Sequence, residues 1–219
     1  MPSIFAVSDT HNSHRSVRLR AADIFVYAGD FSMAGTLGDV VRFNDWLADV
    51  PAPIKIVIAG NHDLALQRDP ITAKALLTNV DHYLLDSSCE VMGLKFYGSP
   101  WVPGLSAERH AFVYGRHHGD ARRIWDKIPT DTDVLVTHGP PYGVLDLCPD
   151  FRNRFVHTHV GCNVLKKVLR ERPNIRHHIF GHIHEGKGEL ADKTGRISHN
   201  VCGLNGRYQP YHKGTLIHV

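Results

Sequence analysis

Short runs of apolar residues recur along the chain, and each run is followed directly by glycine or by polar residues. Five of them cover residues 4–7, 24–28, 54–59, 134–136 and 178–180. Runs of three to six apolar or β-branched residues between turn-forming residues are typical of buried strands. The pattern therefore predicts five strands that are largely enclosed by the rest of the fold.

Two further segments have the spacing of amphipathic helices. Between residues 36 and 49, apolar side chains recur at helical intervals, at Leu37, Val40, Val41, Trp46 and Leu47. A second segment carries Val164, Leu165, Val168 and Leu169 and is closed by Pro173. Strands that alternate with helices predict an α/β fold with a largely parallel central sheet.

Three later segments resemble strands without intervening helices, at residues 94–98, 196–201 and 214–219. They predict a second sheet or antiparallel edge strands. Residues 98–118 and 139–159 are rich in Gly, Pro, Arg and His, and we expect long functional loops there. Since no linker or repeat divides the chain, we expect a single domain over residues 1–219.

Composition narrows the class of protein. The chain has 219 residues, of which 42% are hydrophobic and 21% charged, which is enough for one sizeable core and excludes a disordered or collagen-like chain. Its 25 basic and 22 acidic residues leave a net charge of +3. That excess suits an anionic ligand, but it is too small, and its basic segments too poor in aromatic residues, to indicate nucleic-acid binding.

Cysteines and hydrophobic segments predict the compartment. The four cysteines form no Cys-x-x-Cys pair, which argues against a zinc ribbon or a redox motif. We expect free thiols in a reducing environment. The first residues lack the basic region of a signal peptide, and no stretch reaches the roughly 20 apolar residues of a membrane helix. These features predict a cytoplasmic protein without membrane contact.

The chemistry of the chain is concentrated where the five predicted strands end. In open α/β sheets, ligands bind beyond the carboxyl ends of the strands. That edge would gather the following residues: Asp9, His11, Asp30, Asn61, His62, Asp63, His138, His182 and His184. Each cluster alone could be a helix cap or a turn. Five such clusters in succession are difficult to explain by capping alone.

The residue types indicate a metal centre. Imidazole, carboxylate and amide oxygen without thiolate suit Mn, Fe, Zn, Co or Ni. Two metals about 3.5–4 Å apart can clamp both the attacking and the leaving oxygen of a displacement reaction.

The motifs Asp-x-His, Gly-Asp, Gly-Asn-His-Asp, Thr-His and Gly-His-x-His, in this order, resemble the calcineurin-like metallophosphoesterase superfamily. Residues 98–101, 137–141, 160–162 and 180–186 are similar to its small metallophosphoesterase-domain-containing branch, which in turn is similar to cyclic-nucleotide phosphodiesterases. The resemblance implies a four-layer α/β/β/α sandwich. It also implies two divalent or trivalent transition-metal ions, with Mn, Fe or Zn as the first candidates.

Carried over by position, the resemblance implies a role for each residue of the motifs. The first metal would be held by Asp9, His11 and His184, the second by Asn61, His138 and His182, with Asp30 bridging both. His62 and Asp63 are the candidate catalytic residues, and His62 would face the scissile phosphate. Relatives often orient this histidine with a carboxylate where this chain has Met33. Asp63, a carbonyl group or water would then have to do so.

Substrate contacts are expected from Asn12, which follows the first motif, and from His110 and His159 in the predicted loops. Other loop residues are weaker candidates, for which a solvated surface is the simpler interpretation: His117, His118, His157, Arg152 and Arg154. Arg109, next to His110, would make the wall of the pocket more basic than in similar proteins. The expected function is hydrolysis of a small phosphodiester, such as a cyclic nucleotide, by a metal-bound hydroxide. The alternatives are a phosphomonoesterase and a non-catalytic scaffold, although a scaffold would be expected to lack metal ligands.

Overall fold

The computed structural model describes residues 1–104, 109–115, 119–150, 153 and 155–219. Within these residues the strands are β1 (Ser3–Val7), β2 (Ile24–Ala28), β3 (Ile54–Ile58), β4 (His82–Tyr83), β5 (Ser87–Val91), β6 (Leu94–Ser99), β7 (Val102–Gly104), β8 (Val113–Gly115), β9 (Val134–Thr137), β10 (Leu147–Pro149), β11 (His157–His159), β12 (His177–Phe180), β13 (Gly188–Ala191), β14 (Ile197–Asn200) and β15 (Thr215–His218). The helices are α1 (Leu37–Leu47), α2 (Leu64–Arg68), α3 (Pro70–Ala75), α4 (Asp120–Trp125) and α5 (Asn163–Arg170).

Two large sheets contain all five strands that the apolar runs predict. The first has the order β15-β1-β2-β3-β4, with β1 to β4 parallel and β15 antiparallel at the edge. The second has the order β13-β14-β12-β9-β6-β5, with antiparallel strands at both edges. The three additional predicted strands are present as β6, β14 and β15, so a second sheet and antiparallel edges both occur.

Alternation along the strands explains the layers. In β1, Ile4 and Ala6 face a core that the two sheets share, whereas Phe5 and Val7 face a core that includes Phe43 of α1. On the outer side of the second sheet, Tyr97 and Leu135 belong to a core with α4 and α5, where Trp125 and Leu165 are buried. The order of layers is helix, sheet, sheet, helix. The predicted four-layer α/β/β/α sandwich is confirmed.

Helix α1 begins where its sequence provides a cap. The side chain of Thr36 accepts a hydrogen bond from the Asp39 amide, and the Asp39 carboxylate accepts one from the Thr36 amide. This reciprocal capping box satisfies two amide groups that would otherwise lack partners. It fixes the end of the loop that leaves β2.

The two segments predicted as long loops contain short strands instead. Parallel strands β7 and β8 pair within the first segment, and antiparallel strands β10 and β11 within the second. Each of these strands has only three residues, too few for a periodic pattern to be recognised in the sequence. His117, His118, Arg152 and Arg154 lie outside the described residues. Among the described residues, no helix has the length and hydrophobicity required to cross a bilayer.

Candidate metal centre

The ends of five parallel strands from both sheets converge on one site. Asp9 follows β1, Asp30 follows β2, Asn61 follows β3, His138 follows β9, and His182 follows β12. Backbone hydrogen bonds hold neighbouring strand ends together, from Asp9 N to Gly29 O (2.9 Å) and from Gly181 N to His138 O (2.9 Å). The predicted gathering of polar residues at this edge is therefore present in the fold.

The backbone at this edge is unusual. Five residues of the site other than glycine have φ in the left-handed region: Asp9 (50°), His11 (42°), Asn12 (69°), Asp30 (58°) and His182 (68°). Such conformations are uncommon for residues with a side chain, and they cluster at functional sites. They allow the chain to turn sharply as soon as each strand ends.

The glycines of the motifs make room for the carboxylates. A Cβ atom on Gly60 would overlap the side chain of Asp30, and one on Gly181 would overlap the side chains of Asp9 and Ser8. Glycine precedes Asn61 and His182 because the acidic groups lie directly against the backbone at these two positions.

The first group of possible ligands consists of Asp9, His11 and His184, all buried, with one ligand atom from each lying within 4.8 Å of the others. His184 Nε2 is 3.4 Å from Asp9 Oδ1. His11 Nε2 is 3.8 Å from Asp30 Oδ2. Asp30 therefore lies at the edge of this group, as a shared ligand would.

The second group consists of Asp30, His138 and His182, again within 4.8 Å of one another. His138 Nε2 is 3.2 Å from Asp30 Oδ2 and 3.0 Å from Asn61 Oδ1, so the amide oxygen of Asn61 joins the group. The structure thus brings together all seven residues for which the sequence suggests a ligand role.

The orientation of the imidazole rings fits metal ions. The Nδ1 atoms of His11, His138 and His184 lie 3.1, 2.9 and 3.1 Å from the backbone carbonyl oxygens of Ser32, Ala28 and Asn205. Since a carbonyl only accepts, Nδ1 carries the proton and Nε2 faces the carboxylates. Among the residues that the structure describes, the buried Nε2 of His11 has no hydrogen-bond partner. A metal ion would supply the missing partner, and carbonyl groups behind the ligands are common in metal sites.

The pKa shifts of the candidate ligands also favour the binding of cations. Burial would raise the pKa of Asp9, but its hydrogen bond with His184 and the nearby imidazoles hold that pKa well below its usual range. Burial would lower the pKa of His138, but the charge and hydrogen bond of Asp30 raise it to about 10. The pKa of His182 is lowered to about 3, chiefly by burial. A metal ion that binds here would displace the proton of His138.

His62 is oriented by a backbone carbonyl. Its Nδ1 atom lies 3.1 Å from the carbonyl oxygen of Met33, and its ring meets that of His11 edge-on at 4.7 Å. Of the three possibilities left open by the sequence, the structure shows the carbonyl group as the partner of His62. His62 also has a ligand atom within 4.8 Å of those of His11 and Asp30.

Asp63 lies in a different environment from the one expected of a catalytic group. It is buried, and its carboxylate accepts hydrogen bonds from the amides of Asp30 (2.9 Å), Ser32 (3.0 Å) and Gly60 (2.8 Å) and from Ser32 Oγ (2.9 Å). Burial and the charge of Asp30 raise its pKa to about 7. These hydrogen bonds hold together the loops that carry Asp30 and Asn61, and the catalytic role expected of Asp63 stays a prediction.

The three expected substrate contacts differ in their relation to the centre. The His110 ring is 5.3 Å from that of His62, which places it at the site. Asn12 is exposed beside the ligands, and its backbone amide donates to Phe31 O (2.8 Å). The Nδ1 atom of His159 is 2.6 Å from the buried Asp146 carboxylate, and no contact within the described residues joins His159 to a ligand.

The C-terminal part of the chain contributes residues that the sequence did not indicate. The Tyr208 ring lies 5.2 Å from that of His11 and 5.0 Å from that of His184. Cys202 Sγ donates to Asp9 Oδ2 (3.2 Å), and Lys187 Nζ donates to Cys202 O (2.6 Å). None of these residues lies in a recognisable motif, so no pattern in the sequence could have identified them.

Comparison with known proteins gives consistent matches. The model of the calcineurin-like phosphoesterase family matches residues 2–186. Human metallophosphoesterase domain-containing protein 1 is 36% identical over 236 residues, covering 96% of this chain and 69% of that protein. UPF0046 protein K07C11.7 of Caenorhabditis elegans is 32% identical over 222 residues, covering 94% and 72%. The crystal structure of TT1561 of Thermus thermophilus has a TM-score of 0.62 at 13% identity, covering 92% and 89%, and supports the fold alone.

Proposed function

Because the chain belongs to the calcineurin-like phosphoesterase family and is therefore a metal-dependent phosphoric ester hydrolase, we propose that its substrate is a small phosphodiester. A cyclic nucleotide is the first candidate. The metals would be Mn, Fe or Zn, since the donors are imidazole, carboxylate and amide. Two such ions, held by these residues, would lower the pKa of a nucleophilic water and neutralise the phosphate oxygens.

His62 would act on the substrate directly. Because Met33 O accepts from Nδ1, the Nε2 atom of His62 is left for the phosphate. Only the doubly protonated ring can keep that bond and also donate from Nε2, either to a phosphate oxygen or to the leaving alkoxide. The His110 ring, 5.3 Å away, would line the same side of the substrate.

The charge of the site is the observation that carries the proposal. In the described part of the chain, the ion-pair partners of Asp9 and Asp30 are all histidines. Asp9 and Asp30 cancel two of the four positive charges of two divalent ions, and an attacking hydroxide cancels a third. Behind the ligands, Lys187 and the carboxyl group of Asp63, whose pKa is raised to about 7, carry charges of opposite sign. Once His62 has passed its proton to the leaving alkoxide, the metal ions with their carboxylates and the hydroxide would retain about one positive charge, which matches a diester monoanion, whereas a monoester dianion exceeds it.

The test is a comparison of two chromogenic substrates at one pH and in one metal. We expect kcat/KM for bis(4-nitrophenyl) phosphate to exceed that for 4-nitrophenyl phosphate, and a panel of cyclic nucleotides then identifies the natural diester. Asp30→Asn, purified in parallel, reports any contaminating phosphatase. A ratio at or below one would overturn the proposal.

That outcome would favour the phosphomonoesterase alternative, for which one observation exists. Arg109 is exposed next to His110, whose ring contacts that of His62. A guanidinium group that reaches the phosphate would supply the additional positive charge that a dianion requires. Arg109→Ala would then lower monoester turnover selectively.

A further inference from the structure

A short turn at residues 205–209 carries an aromatic side chain to the metal centre. The Tyr208 ring lies 5.2 Å from the ring of His11 and 5.0 Å from that of His184, although both histidines are buried and Tyr208 is 50% exposed. One face of the site is therefore lined by a large aromatic group that remains accessible to a ligand. The segment matched by the family model ends at residue 186, before this turn begins.

The turn is built to hold this side chain in place. The amide of Tyr208 donates to the carbonyl oxygen of Asn205 (2.8 Å), and the amide of Asn205 donates to that of Gln209 (2.9 Å). The side-chain oxygen of Asn205 accepts from the amides of Arg207 (2.9 Å) and Gln209 (3.0 Å). Tyr208 itself has φ of 59°, a left-handed conformation that is rare for a bulky residue. An exposed tyrosine that only covers surface requires no such support.

The same turn is joined to the metal ligands. The carbonyl oxygen of Asn205 lies 3.1 Å from Nδ1 of His184 and also accepts the amide of Tyr208. One carbonyl group therefore fixes both a ligand ring and the aromatic ring beside it. The position of Tyr208 relative to the first metal position is set by this shared acceptor.

Tyr208 and His62 both contact the ring of His11. The His11 ring contacts the rings of both, at 5.2 and 4.7 Å, and no ring contact joins Tyr208 to His62 in the described part of the chain. A phosphate that faces His62 would therefore have its substituents within reach of Tyr208. The exposed face of a fixed tyrosine is suited to stacking on a planar group and contributes little selectivity for an alkyl group.

From this arrangement we infer that Tyr208 is a specificity-determining residue that stacks on a planar aromatic group, such as an aryl ring or a nucleobase, carried by the phosphodiester. The inference rests on the proposed function, because it assumes a diester bound at the metal centre. It narrows the substrate class to diesters with an aromatic substituent in addition to the leaving group.

The test uses two diesters with one leaving group. Phenyl 4-nitrophenyl phosphate and methyl 4-nitrophenyl phosphate both release 4-nitrophenolate, so the ratio of their kcat/KM values, relative to the ratio of their uncatalysed rates, reports recognition of the second substituent. We expect wild type to prefer the phenyl ester by about tenfold, the lower part of the range for stacking on an aromatic side chain. Tyr208→Leu should reduce the preference to about one, while Tyr208→Phe keeps it.

Tyr211→Leu is the matched control. Tyr211 follows the same turn, but its ring lies 5.0 Å from Lys187 Nζ. We expect this variant to keep the tenfold preference, and metal content is measured for every variant. An equal loss of rate with both esters in Tyr208→Leu, or loss of a metal equivalent, would show that Tyr208 acts on the ligands and would overturn the inference.

The wild-type enzyme decides the question even if Tyr208→Leu does not fold. A wild-type ratio near one overturns the role of Tyr208 and leaves the diesterase proposal standing. Hydrolysis of 4-nitrophenyl phosphate without hydrolysis of either diester contradicts the proposed function itself, and the inference about Tyr208 then falls with it.

Discussion

The two halves of the metal centre have equal numbers of imidazoles but unequal charge. The first position combines His11 and His184 with two carboxylates, Asp9 and the shared Asp30. The second combines His138 and His182 with Asp30, and the neutral amide of Asn61 beside them would be its fourth donor. Since a divalent ion is stabilised by anionic ligands, the second position should bind its metal more weakly. The two metal positions are therefore expected to differ in charge, although both are formed by similar short motifs in the sequence.

The two halves also differ in what supports them. On the first side, C-terminal residues contact the ligands, since Asn205 O faces His184 Nδ1 and Cys202 Sγ donates to Asp9. On the second side, His138 follows β9 of the second sheet, and its Nδ1 is held by Ala28 O at the end of β2 in the first sheet. The first position therefore depends on a segment beyond residue 186, whereas His138 of the second position is held by a strand end of the opposite sheet.

The largest effect is expected from the residue that both halves share. Asp30→Asn removes one charge from each position, so both metals should be bound more weakly and kcat/KM should fall by about 10⁴-fold or more. Metal analysis and diester hydrolysis measure the two consequences together. Loss of one metal equivalent only would show that Asp30 is not a bridging ligand.

His62→Ala distinguishes a group that acts on substrate from a ligand of either half. We expect both metal equivalents to remain and kcat to fall by about 10²-fold to 10⁴-fold, the usual contribution of a proton-transfer group. Because a ligand atom of His62 lies within 4.8 Å of those of His11 and Asp30, the competing role is a real one. If His62→Ala retains only one metal equivalent, His62 is a metal ligand.

Asn61→Ala changes only the second half. Its affinity for the second metal should fall by about 10²-fold, and the purified protein should hold one metal and have little activity, which excess metal restores. Asp9→Asn is the matched variant for the first half and should lower the affinity for the first metal instead. If Asn61→Ala binds two metals as tightly as wild type does, the amide oxygen is not a ligand.

The smallest effect is expected from Asp63, which supports the loops behind both halves. Asp63→Asn keeps the shape of the side chain but replaces one acceptor oxygen by an NH2 group, which faces backbone amides that are themselves donors. The loops that carry the ligands should then be held less well, and metal affinity should fall by about tenfold to a hundredfold. Restoration of turnover at saturating metal would agree with a positioning role. Unchanged metal affinity with a lower kcat would show instead that Asp63 takes part in the reaction.

The sequence was sufficient for the parts of the site that depend on residue type. Buried strands leave continuous apolar runs with Asp, Asn and His at their ends, so β1, β2, β3, β9 and β12 could be predicted together with the polar residues that gather at their ends. The partner of His62 could not be predicted, because every residue has a carbonyl group and Met33 contributes nothing else. Tyr208 reaches the centre through a left-handed turn far along the chain, and a single tyrosine carries no periodic signal.

Stepwise removal of metal by a chelator distinguishes two unequal metal positions around Asp30 from two equal ones. Metal content and diester hydrolysis are followed together as chelator is added to the protein loaded with two equivalents. We expect activity to be lost with the first equivalent removed, while the second equivalent is retained to a clearly higher chelator concentration. Activity that declines in proportion to metal until both equivalents are gone would contradict this expectation.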